Sequence, residues 1–269
     1  MPGLEDAIIR SSNFGWLLMS RFDLSLFFFN PFTKQKIELP PSGTAFRAMC
    51  FTTPPTSPDC IVFGLSTFSD DYVDIGTIER GKTDWHLEEY KNETRFRPST
   101  HTPVFHKGSF YCIDLAGKVG IFYPNNSENK WTVLTRLTKR RCERVIRQNF
   151  LVAVDGELLA VLNHDNRKVM VERLDRTNGQ WKPVQDLGKI LYVSHGACFA
   201  EDAKIKNVVV YFPKFRDNIG AFYSTNTGKY HSVVGDFSTK TSYDLDEITE
   251  FGTWIMPNLD IVLEEQLTW

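Results

Sequence analysis

Cysteine is scarce in this sequence and never clustered. The five residues Cys50, Cys60, Cys112, Cys142 and Cys198 are odd in number and far apart. A disulfide framework and a zinc knuckle of closely spaced thiols are therefore not expected. Histidine is equally sparse. His86, His101, His106, His164, His195 and His231 have no Cys or His partner at metal-ligand spacing, so no metal site is expected. No apolar run approaches the roughly 18 residues of a membrane-spanning helix. The strongest runs, 17–19 and 24–29, are separated by Arg21 and Asp23, and neither reads as an export signal. A reducing compartment, cytoplasmic or nuclear, is the expectation. Charge of one sign is missing too: 31 basic residues face 33 acidic ones, so no global field draws in nucleic acid or a membrane. Helical periodicity is weak, with 138–148 the best short candidate.

Aromatic residues are abundant by contrast. The chain carries 21 Phe, 6 Trp and 9 Tyr in 269 residues and is 42% hydrophobic. Flat rings pack well on pleated strands, and this apolar content suffices for a substantial core. Five stretches share one ending, a polar turn and then a short strand with a large apolar residue at its second place. They are Lys36-Ile37-Glu38-Leu39, Asp84-Trp85-His86-Leu87, Lys130-Trp131-Thr132-Val133, Gln180-Trp181-Lys182-Pro183 and Lys229-Tyr230-His231-Ser232. The apolar members lie 46 to 50 residues apart. A period of about 40 to 50 residues built from strands alone signals propeller blades.

The expected fold is all-β: a single β-propeller domain over 1–269 with four-stranded blades. Five blades fit best, at about 7–42, 46–90, 100–135, 147–187 and 194–236, with a closing strand at 248–258. A sixth is an alternative if 251–263 seeds a partial blade. The second blade reads as strands 46–51, 60–65, 72–78 and 85–88; the fifth reads as 196–200, 208–212, 219–223 and 230–233. For the first, the innermost strand is either 7–10 or 251–256. Turns such as Asp155-Gly156 and Thr177-Asn178-Gly179 suit positive φ. Gly64, Gly76, Gly120 and Gly220 fall inside strands, where close approach near a propeller axis is expected. Trp85, Trp131 and Trp181 are expected to pack between blades.

Several groups of residues join into a pattern. Ser11-Ser12-Asn13-Phe14-Gly15 precedes Trp16-Leu17-Leu18-Met19. Phe28-Phe29-Asn30-Pro31-Phe32-Thr33 and Ile37-Glu38-Leu39-Pro40-Pro41 follow, and Gly252-Thr253-Trp254-Ile255-Met256-Pro257 stands near the end. In order and spacing these resemble the C-terminal β-propeller of the plant F-box/kelch-repeat-like proteins, over about residues 7 to 258. In that family an F-box docks on the Skp1 adaptor of a cullin ubiquitin ligase and the propeller recruits the substrate. The few residues before the first strand are too short for the helices of an F-box, so Skp1 binding is not expected of this chain.

The resemblance implies a non-catalytic protein-binding module, and no catalytic set appears in the sequence. Ser194-His195 and His231-Ser232 are neighbours whose side chains alternate between strand faces. No Gly-x-Ser-x-Gly and no phosphate loop is present, so no cofactor is expected. A glycosidase with a central funnel is the alternative; it needs carboxylates on inner strands, where only Asp155 and Glu201 come near. The expected partner surface uses the loops from second to third strand and from fourth strand to the next blade. Its candidates are Asp70, Asp71, Arg95, Arg97, Arg140, Arg141, His164, Arg167, Lys214 and Arg216. Arg136, Lys139, Arg140, Arg141, Arg144 and Arg147 form the densest run of charge, fit either for an acidic partner or for a solvated connection.

Overall fold

Short runs of apolar and aromatic residues, many of them buried on both faces, build the strands of the computed structural model. It describes residues 4, 6–134, 146–164, 169–184, 186–203, 207–215, 218–232, 235–237, 252–258 and 267–269. The chain falls into two compact units. The first runs to Asn92 and includes Ile255–Trp269; the second is Glu93–Trp254.

The first unit holds two antiparallel four-stranded meanders. One is β1 (Ile8–Asn13), β2 (Trp16–Ser20), β3 (Leu26–Phe29) and β4 (Lys36–Glu38). The upstream segment thus supplies its first strand, whereas residues 252–258 join no sheet. The other is β5 (Ala48–Phe51), β6 (Ile61–Ser69), β7 (Tyr72–Glu79) and β8 (His86–Lys91). Alternation divides the first sheet between two cores. Trp16, Leu18, Leu26 and Phe28 pack with Phe46, Met49, Phe51 and Val62, while Leu17, Met19, Phe27 and Phe29 pack with Ile9 and Ile255. The C-terminal Trp269 stacks on Phe28, with ring centroids 5.9 Å apart.

The second unit adds β9 (Val104–His106), β10 (Ser109–Ile113), β11 (Val119–Phe122) and β12 (Trp131–Leu134), then β13 (Ile146–Val154), β14 (Glu157–His164), β15 (Val169–Asp175) and β16 (Gln180–Pro183). The β13–β16 sheet is apolar on both faces. Leu151, Leu158, Ala160 and Leu162 meet Tyr111, Ile113 and Ile121 of the preceding sheet. Phe150, Val152, Leu159 and Val161 meet Leu191, Val193, Val210 and Phe212 of the following one. Residues 146–148, expected at the end of a helix, begin β13.

The fifth sheet departs from the expected meander. It contains β17 (Lys189–Val193), β18 (Cys198–Asp202), β19 (Val209–Phe215), β20 (Asn218–Ser224), β21 (Lys229–Ser232) and β22 (Gly235–Phe237), in the order β18-β17-β19-β20-β21-β22. The strand beside β19 is β17, in parallel, and not residues 196–200. Leu191 and Val193 are fully buried beside Val208 and Val210, and this alternation seats β17 there. Ser194 closes the turn into β18, its hydroxyl accepting from the Ala197 amide at 3.1 Å.

Short turns between first and second strands recur. Phe14-Gly15, Lys107-Gly108 and Asp155-Gly156 are two-residue connections with φ of 53° and 78°, 48° and 78°, and 48° and 77°. Positive φ at both places matches the right-handed twist of the strands. Close approach is found at three of the strand glycines, Gly64, Gly76 and Gly120, and what approaches is an aromatic ring. A methyl on Gly64 or Gly76 would stand inside the Phe46 ring, and one on Gly120 inside the Trp131 indole. They are floors for aromatic rings. Trp85 and Trp181 do tie neighbouring elements: Trp85 Nε1 donates to Pro40 O at 3.0 Å and Trp181 Nε1 to Gly117 O at 3.1 Å.

Trp131 is almost fully buried and lies 5.4 Å from the Phe96 ring. Trp131→Ala is expected to cost about 3 to 5 kcal/mol in urea unfolding. Gly120→Val should destabilise measurably by expelling the same ring. A Gly120→Val protein as stable as the parent would refute this packing.

Candidate functional site

The β6–β7 hairpin carries two of the expected partner residues at its tip. Ser66 and Ser69 flank a register shift, which puts Thr67 and Phe68 in an irregular stretch of β6 just before the Asp70-Asp71 turn. The Thr67 hydroxyl reaches the carbonyls of Ser69 and Tyr72, and the Ser69 amide donates back to it at 3.2 Å. Asn92, buried just after β8, fastens the turn from the side. Its amide N–H donates to Asp71 O at 2.7 Å and its Nδ2 to Asp70 O at 2.9 Å. With both backbone carbonyls held, the carboxylates of Asp70 and Asp71 stand exposed.

Arg95 and Arg97 are placed by alternation in the segment leading to β9. Phe96 between them is fully buried against Trp131, so its two neighbours face solvent. The segment runs beside the β10–β11 turn. Leu115 N donates to Arg97 O at 3.1 Å, and Lys118 Nζ reaches Arg95 O. Asp114 organises that turn, accepting from Ala116 N at 2.8 Å and Lys118 N at 2.7 Å. Burial nevertheless pushes its carboxyl up to about 6, against those amides and Lys118.

The chain has relatives. The family model described as KIB1-4 beta-propeller matches residues 2–243. The chain belongs to the KIB1-4 beta-propeller family. An F-box/kelch-repeat protein of Arabidopsis thaliana is 32% identical over 93% of this chain and 72% of its own length. A second from the same plant is 28% identical over 91% of this chain and 62% of its own. An F-box protein of Arabidopsis thaliana is 30% identical, and the chain spans 47% of its length. Family membership makes the five sheets blades of a β-propeller.

On this propeller the remaining expected residues are spread out. His164 ends β14 and Lys214 lies in β19. Arg140, Arg141, Arg167 and Arg216 lie outside the described residues, as do Arg136, Lys139 and Arg144 of the basic run; Arg147 lies in β13. The structure therefore brings together Asp70 with Asp71, and Arg95 with Arg97. Two residues were missed by sequence reasoning. Phe68, near the end of β6 in the β6–β7 hairpin, is 97% exposed, and Phe22, in the β2–β3 hairpin, is 79% exposed. The signal was a phenylalanine inside a run of turn-forming polar residues, where apolar side chains have no packing to gain.

The groups weighed for chemistry make contacts within the fold. Ser194 Oγ is taken up by Ala197 and by the Trp254 amide at 3.3 Å. His101 hydrogen-bonds Ser99 Oγ through Nδ1 at 2.6 Å and lies 4.3 Å from the Phe150 ring. Desolvation, with His195 nearby, lowers its imidazole to about 3. Glu201, expected just past an inner strand, lies within β18. Asp155 and Asp202 share Lys189 Nζ at 2.9 and 2.7 Å. That clamp ends the β13–β14 turn and β18 in ion pairs, and gives the glycosidase alternative no support.

Asp114 yields a pH prediction. Its folded value lies above the unfolded 3.8, so the native state keeps this proton longer than the unfolded chain. The contribution of this group is favourable below about pH 4 and is lost as pH rises through 6. Asp114→Asn keeps an oxygen for the two amides and removes the buried charge. It is expected to raise stability at pH 7.5 by about 1 to 3 kcal/mol and to flatten the profile between pH 4 and 6. Thermal melts across that range check it; a parallel profile for both proteins would refute it.

Proposed function

We propose that this propeller is a non-catalytic protein-recognition module, the substrate-recruiting part of an F-box-type ubiquitin ligase adaptor. It works in the cytoplasm or nucleus, where its buried thiols stay reduced. The observation that carries the reading is the rigid mounting of exposed charges on connections of two kinds. Asp70 and Asp71 sit on a second-to-third strand turn pinned by Asn92. Arg95 and Arg97 sit on a fourth-strand-to-next-blade connection pinned by Phe96. Charges of both signs at strand ends give selectivity and association rate more than raw affinity. Relatives named as F-box proteins support the adaptor role.

Affinity purification from plant cells, followed by binding measurements with the recovered protein, tests the reading. Arg95→Glu with Arg97→Glu should weaken that binding severalfold or more and flatten its dependence on salt. The melting temperature should stay nearly unchanged, because exposed charges contribute about 0 to 1 kcal/mol to folding. Binding that survives the double reversal at low salt would remove these arginines from the surface. Recovery of no specific partner by the parent protein would contradict the recognition role itself.

A further inference from the structure

The β6–β7 hairpin presents an aromatic ring to water in a way that folding does not explain. Phe68 is 97% exposed, the most exposed of the large apolar side chains among the described residues. Its turn is fixed: Thr67 braces it from within, and buried Asn92 holds the carbonyls of Asp70 and Asp71. A ring on a braced turn loses little freedom when it is buried by a partner, which is the condition for a strong anchor. Phenylalanine supplies large contact area in the same way as other interface aromatics.

The surroundings of the ring are acidic. Asp70 and Asp71 are exposed and make no ion pair among the described residues. Asp74 and Glu89 face each other across the β7–β8 ladder, and Lys91 opposite Tyr72 is the single basic residue in that register. Uncompensated negative charge beside an apolar tip calls for positive charge on whatever covers it. It also sets the tip against an anionic lipid surface, which attracts basic segments and repels aspartates.

We propose that Phe68 is the anchor of the recognition surface and enters an apolar pocket of a protein partner whose rim carries lysine or arginine. The proposal rests on the protein-recognition reading above and adds to it the contact point and the chemistry of the partner.

The test places a photoreactive benzoylphenylalanine at position 68 of the full chain in plant cells, and separately at positions 95 and 97. The expected result is one discrete adduct from position 68. Its cross-linked peptide, mapped by mass spectrometry, combines Lys or Arg with apolar residues. The same partner, once purified, should bind Phe68→Ser about 10- to 100-fold more weakly than the parent. Asp70→Lys with Asp71→Lys should slow its association, and all variants should keep the parent melting temperature. An adduct from 95 or 97 without one from 68, or equal affinity for Phe68→Ser, would overturn the proposal and leave the recognition reading standing. No adduct from any of the three positions would overturn both. Co-sedimentation with phosphatidylcholine–phosphatidylserine vesicles that depends on Phe68 would put a membrane in place of the protein and overturn the proposal.

Discussion

Burial of a sheet on both faces is the constraint from which the rest of this structure follows. The β13–β16 sheet sends Phe150, Val152 and Val161 into one core and Leu151, Ala160 and Leu162 into another. The β1–β4 sheet divides Trp16 and Phe28 from Leu17 and Phe27 in the same way. Charge buried on either side of such strands would face a desolvation cost, so exposed charge stands on connections and on outer strands such as β8 and β16. Asp70, Asp71, Arg95 and Arg97 all stand on connections. Stability thus lies in the strands and exposed charge on the connections, a division that suits a scaffold carrying function on loops.

Aromatic rings over glycine floors tighten this arrangement. Phe46 covers Gly64 and Gly76, and Trp131 covers Gly120. Each ring is brought by a segment outside the strand pair it covers or by the last strand of the sheet. Phe96 then completes the Trp131 cluster and, by alternation, turns Arg95 and Arg97 outward. One buried ring thereby links core packing to the position of two surface charges. Asn92 does the same for the acidic turn through two hydrogen bonds rather than through packing.

Much of the architecture was legible in the sequence because its signals are local. The recurrence of Ile37, Trp85, Trp131, Trp181 and Tyr230 marks the last main strand of each sheet. Positive-φ turns such as Asp155-Gly156 mark hairpins through residue chemistry alone. The parallel placement of β17 was not legible, since Lys189–Val193 and Cys198–Asp202 compete for the same edge and only burial of Leu191 and Val193 decides between them. The pairing of ring with glycine was hidden for the same reason, because it depends on contacts distant in sequence. At the site, exposure of Asp70, Asp71, Arg95 and Arg97 followed from loop position. Phe68 was passed over because an apolar residue is first read as core. The brace formed by Thr67 and Asn92 has no sequence pattern that would announce it.

The central claim is that binding occurs on second-to-third turns and fourth-strand exits, with the first-to-second turns left free. Hydrogen exchange of the full chain, alone and with its purified partner, tests this most directly. The account predicts slower exchange on binding in residues 67–72 and 93–99, with Asn13–Trp16, His106–Ser109 and Val154–Glu157 unchanged. Protection confined to those first-to-second turns, with 67–72 and 93–99 unaffected, would contradict it.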